Sequence, residues 1–213
     1  MNKTISLKKY LIVCAVGFGI GGFLWGLVLY SELPDLEFPF HFMAILIMGV
    51  FGGIALVGFS QGVRQVAKAV LAGFLGYGIG FVVVGVFSYP LSLISGFLLS
   101  IIIPSFLIDS GYIVLVPNIG ITVYWLLFLI IGLIIGLFYA LFLKTKKWPL
   151  IWRGGLGLAL ASLISPIIGN LIGNVFDSLL LAYLITFSLI GIILGLFLAC
   201  GVYTRNKRSD LSI

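Results

Sequence analysis

The sequence predicts an all-α integral membrane protein. It reads as six transmembrane helices forming three pseudo-repeated helical hairpins, with one re-entrant or interfacial half-helix at about 91–103. Three observations carry this. The chain is 62% hydrophobic and only 8% charged, against roughly 25% charged in soluble domains. All 12 Lys and Arg residues fall into four clusters, with five of the six acids between them. Glycine patterns recur at matching places along the chain.

The charges set the threading. The basic clusters are Lys3/Lys8/Lys9, Arg64/Lys68, Lys144/Lys146/Lys147/Arg153 and Arg205/Lys207/Arg208. Glu32, Asp35, Glu37, Asp109 and Asp177 lie between them, and only Asp210 joins a basic group. Positive charge near span ends is retained on the cytoplasmic side during insertion, so both termini are expected there. The net charge of +6 comes from these juxtamembrane groups, which suit anionic headgroups. It does not indicate nucleic-acid binding. At 213 residues the chain is expected to be one transmembrane domain, 1–213.

A span needs about 20 apolar residues. The first is expected at Lys9–Tyr30, a retained helix rather than a signal peptide, because it is long and no A-x-A site follows. Leu33-Pro34-Asp35 breaks the chain after it. The second is His41–Ser60 and the third Val66–Phe87. Tyr89-Pro90 is expected to stop the third. Leu91–Ile103 then forms an apolar helix of about 20 Å, too short for a bilayer of about 30 Å. The fourth span is Ile119–Leu143, the fifth Leu150–Ile172 after Lys147-Trp148-Pro149, and the sixth Ser178–Tyr203, with a cap from 174–178. Trp25, Tyr30, Trp148, Trp152 and Tyr203 fall near expected interfaces, as an aromatic belt requires. Pro166 removes one backbone donor from the fifth span, so a kink is expected, with Ser162 or neighbouring helices covering the freed carbonyl.

The internal repeat is expected at 9–60, 66–143 (with insert 88–118) and 150–203. Gly17-Phe-Gly-Ile-Gly21 matches Gly76-Tyr-Gly-Ile-Gly80. That alignment places Lys9, Lys68 and Arg153 together, with Ala161 and Ser165 at the small positions of the fifth span. The even spans carry Gly49/Gly53, Gly132/Gly136 and Gly191/Gly195. Span five adds a ridge of Gly157, Ala161, Ser165, Gly169 and Gly173. Lipid gives helices no hydrophobic reason to associate, so small residues that let backbones approach are the expected packing positions. A two-span repeat keeps its orientation, so the hairpins would surround an axis along the membrane normal.

Much chemistry is missing from the sequence. No Asp, Glu, Lys, Arg or His lies at expected mid-bilayer depth, where proton-coupled pumps and voltage sensors place them. No activated nucleophile or metal-ligand set is present. His41 stands alone beside the Ser31–Phe40 loop. The glycine runs have no preceding strand and are not phosphate loops. The chain is therefore expected to be no enzyme and to hold no cofactor or metal. Cys14 and Cys200 read as small buried residues near the cytoplasmic face, where a disulfide is not expected.

The remaining polar groups are mild. Ser92, Ser95 and Ser100 on the half-helix, with Asn170 and Asn174 at the outer end of span five, could line an outer vestibule. Two functions compete: an uncoupled facilitator or channel for a small, weakly polar solute, and a non-catalytic structural, assembly or anchoring subunit. The expected partners are lipids, and a homo-oligomer or membrane-protein partner. A solute path along the axis favours the first; an axis packed shut favours the second.

Overall fold

The computed structural model describes residues 6–30, 39–58, 62–102, 116–145 and 147–209. Their side chains are described for 6–30, 46–58, 62–87, 125–145 and 147–203. Every element among the described residues is a helix: α1 Leu7–Tyr30, α2 Pro39–Val57, α3 Val63–Ile102, α4 Val116–Phe142, α5 Lys147–Val175 and α6 Leu179–Ser209. In hydrocarbon each backbone group must be satisfied within its own segment, which makes helix the only outcome for such apolar runs. Five are long and apolar enough to cross a membrane, and α2 contributes a shorter apolar stretch at Leu46–Val57. This is an all-α membrane protein of about six helices.

The half-helix is corrected. Residues 91–102 are helical, but they continue α3, which runs unbroken for 40 residues through Pro90. Such a helix is about 60 Å long, twice the hydrocarbon thickness. Breaking the chain would strand several backbone groups, whereas passing through proline loses one hydrogen bond. The same balance keeps α5 continuous through Pro166. Ser162 does not cover the carbonyl that Pro166 frees. Its hydroxyl donates instead to the Ala159 carbonyl at 2.8 Å. The rest of the insert, 103–115, lies outside the described residues, as do Asp35 and Asp109.

The helices contact one another in chain order, α1 to α6, and α6 returns to α1, closing a ring. Neighbours run antiparallel. Along α3 and α4, a Cβ at Gly76 would lie 3.1 Å from Ile135 Cα, and one at Gly80 would lie 3.1 Å from Ile131 Cγ2. Tyr10 of α1 stacks near Tyr203 of α6 at 6.0 Å, and at the other end Tyr30 meets Tyr183 at 6.4 Å. Lys8, Lys9, Arg64, Lys68, Lys144, Lys147 and Arg153 therefore share one end of the ring, and Asp177 lies at the other.

Short turns close the hairpins. After α4, Thr145 N–H reaches the Ala140 carbonyl at 3.0 Å and Lys144 N–H the Leu141 carbonyl at 3.3 Å. After α5, Ser178 N–H reaches the Gly173 carbonyl at 2.8 Å. Both are Schellman turns, and both put a non-glycine residue in the left-handed region: Lys144 at φ 51° and Asp177 at φ 47°. Ser178 then caps α6, accepting from Leu181 N–H at 3.3 Å.

Candidate functional site

Contacts between helices that are not ring neighbours locate the axis. Phe18 of α1 meets Tyr139 of α4 edge-on at 6.4 Å. Tyr139 donates its hydroxyl to the Gly49 carbonyl of α2 at 3.2 Å. Trp25 of α1 meets Phe81 of α3 at 5.9 Å, near perpendicular, and Phe187 of α6 at 4.5 Å. Side chains thus fill the axis in two aromatic layers. One layer, nearer Tyr30, holds Trp25, Phe81 and Phe187. The other, nearer the basic end of the ring, holds Phe18, Tyr77 and Tyr139, with Met48, Ile135 and Leu194 buried in the same core.

Local backbone approach sets the Phe18–Tyr77–Tyr139 layer. A Cβ on Gly49 would lie 2.7 Å from the Gly73 carbonyl carbon and 3.0 Å from Tyr77 Cδ2. A Cβ on Gly73 would lie 2.6 Å from the Tyr139 hydroxyl and would collide with the Gly49 carbonyl. Two hydrogen atoms, one on each helix, are what leave room for both tyrosine rings. The other expected packing positions also lie against neighbouring helices. A Cβ on Gly53 would lie 2.5 Å from Ala69 O, one on Gly136 2.5 Å from Leu150 O, and one on Gly195 2.8 Å from Cys14 O. Gly132 meets Gly154, and Gly191 meets the Phe18 carbonyl. Along α5, a Cβ on Gly157 would lie 2.7 Å from Phe197 Cβ, and one on Gly169 would lie 2.7 Å from Ala182 O on α6. Ala161 and Ser165 are fully buried, and Thr186 donates to the Ser165 carbonyl at 3.5 Å.

Some polar atoms in this core have no partner. Tyr77, 1% exposed, and Trp25, 6% exposed, hold their hydroxyl and indole N–H without a hydrogen bond, as does the Ser165 hydroxyl. Sequence reasoning missed the first two. Tyr77 sits in a glycine motif whose first copy carries Phe18, and so reads as bulk. Trp25 reads as a belt residue, yet the structure turns it inward onto Phe81 and Phe187. Trp148 and Trp152, by contrast, form an exposed perpendicular pair at 5.7 Å.

Of the expected vestibule residues, only Asn170 and Asn174 have described side chains. Asn170 and Asn174 are exposed on α5. Ser92, Ser95 and Ser100 lie on the last turns of α3, and their side chains fall outside the described set. Between α1 and α6 an apolar groove, floored by Ala15, Gly19 and Ser188, opens away from the axis beside exposed Val16, Ile20 and Phe23. Cys14 is buried, with its thiol 3.5 Å from the Ala55 carbonyl, and neither cysteine is in a disulfide. Arg153 donates to the Cys200 carbonyl across the α5–α6 seam. Among the described residues no group of three or more His, Cys, Asp or Glu could hold a metal.

Helix length, apolarity and antiparallel threading define the class: a polytopic, all-α membrane protein. No protein-family model, curated protein or solved structure matches the chain.

Proposed function

We propose that the chain is a non-catalytic membrane facilitator for a small, weakly polar solute, seen here with its axis closed. The observation that carries this is that two of the buried polar atoms with no partner, Trp25 Nε1 and the Tyr77 hydroxyl, lie in the aromatic layers inside a ring of helices. An unsatisfied hydroxyl in a core costs about 1–3 kcal/mol. Phe18 occupies the matching place in the first hairpin, so the site accepts a ring without the hydroxyl. A passing solute would supply the missing partner. The absence of charge at mid-depth fits a neutral cargo.

The threefold repeat belongs to the same reading. Met48, Ile131 and Ile190, each one residue before a first glycine, are all buried. Leu56, Tyr139 and Leu198, each three after a second glycine, are buried too. The glycines would let the hairpins lie close enough to shape the axis. Both termini would be cytoplasmic, with the basic end of the ring inside. The outer mouth would lie near Asn170, Asn174 and the end of α3 that carries Ser92, Ser95 and Ser100.

The second reading is a structural or anchoring subunit. The filled axis favours it, because two aromatic layers leave a scaffold well packed. Light scattering from proteoliposomes separates the two. A facilitator shrinks and re-swells vesicles in urea or glycerol faster than protein-free vesicles do. No excess flux, with a membrane protein co-purifying in fixed ratio, selects the subunit.

A further inference from the structure

We propose that Trp25 Nε1, the Tyr77 hydroxyl and the Tyr139 hydroxyl form a hydrogen-bond relay down the axis, and that they select a small neutral solute carrying an acceptor oxygen. This rests on the facilitator reading. Three features of the core support it. Two of the unpartnered buried atoms, Trp25 Nε1 and the Tyr77 hydroxyl, belong to side chains more than nine-tenths buried, one in each aromatic layer. Tyr139 already donates to Gly49 O, so its oxygen still has lone pairs to offer. The groups come from α1 on one side of the ring and from the neighbouring pair α3 and α4 on the other, and rings from the two sides meet across it.

The chemistry of the groups sets the cargo. An indole N–H can only donate, so the first contact needs an acceptor on the solute. A tyrosine hydroxyl donates and accepts, so the second contact suits a hydroxyl, an amide or water. None of the three carries charge, and the surrounding rings and aliphatic chains cannot replace the hydration shell of an ion. Entry requires the Trp25–Phe81–Phe187 layer to part, and exit requires Phe18 to leave Tyr139. Between those two events the solute holds hydrogen bonds that the resting core leaves open.

The test uses the full chain in proteoliposomes, with urea and glycerol as probes and sodium chloride as the ionic control. Tyr77→Phe keeps the ring and removes the hydroxyl. It is expected to lower urea and glycerol flux about fivefold, the loss of one net hydrogen bond. Its thermal midpoint in detergent should stay level or rise, since no native bond is removed. Trp25→Phe is expected to lower the same fluxes. Parental flux in a folded Tyr77→Phe protein overturns the relay and leaves the facilitator reading standing. A parent with no urea or glycerol flux overturns both. Sodium chloride flux matching that of urea overturns the neutral-solute selectivity.

Discussion

The cost of a single methyl group varies sharply from one glycine to the next. At Gly136 a Cβ would sit 2.5 Å from Leu150 O and 2.8 Å from Ile151 Cα, and at Gly195 it would sit 2.8 Å from Cys14 O. These neighbours are backbone and cannot swing away. Gly136→Leu and Gly195→Leu should each destabilise the protein by about 3 kcal/mol, the upper part of the usual overpacking range. At Gly85 nothing lies within 4 Å of a built Cβ. Gly85→Ala should leave the detergent melting point level or raise it, by up to about 1 kcal/mol of helix propensity. Equal melting of all three variants would mean that the tight crossings do not exist. Tyr139→Phe tests the axial hydroxyl that donates to the Gly49 carbonyl, and should cost about 1 kcal/mol. The glycines were legible because spacing alone picks them out. The partnerless atoms of Trp25 and Tyr77 were not, because hydrogen-bond satisfaction depends on neighbours from other helices.

At the scale of the element, five of the expected spans agree with their helices to within a few residues, because apolar length decides them. The third did not. Proline near a chain break reads as a stop, but the rule is calibrated where water can take up freed backbone groups. In α3 and α5 the chain passes through Pro90 and Pro166 and remains helical. Turn chemistry offers a sharper test. Ser178→Ala removes the cap that receives Leu181 N–H and should cost about 1 kcal/mol. Lys144→Gly relieves a left-handed lysine and should stabilise by up to about 1 kcal/mol. A melting point lowered by Lys144→Gly would show that its charge, not its backbone, dominates there. The seams between hairpins share a plan but not a register. Gly49, Gly132 and Gly191 meet Gly73, Gly154 and Phe18. Those partners lie five, one and nine residues beyond Lys68, Arg153 and Lys9, so the seams are offset from one another by one or two helical turns. The alignment on charge did not reveal that slide, since only packing sets it.

For the molecule as a whole, the ring and its threading lead to one direct check. Cysteines placed at Asp35, Asp109 and Asp177 should react with a membrane-impermeant reagent in intact cells, and one at Lys146 should not. Labelling at Lys146 would reverse the inside and outside of the ring. The ring also closes through its earliest and latest helices: Gly19, Gly22 and Gly26 of α1 lie against Ile192, Phe187 and Tyr183 of α6. Translation adds about 5–20 residues each second. The first helix therefore waits roughly ten to thirty seconds in the bilayer before its final partner emerges. Throughout that wait its glycine face is bare to lipid and to any passing helix. A ribosome that stalls before α6 would release an open arc with two unmatched edges, a natural substrate for membrane quality control.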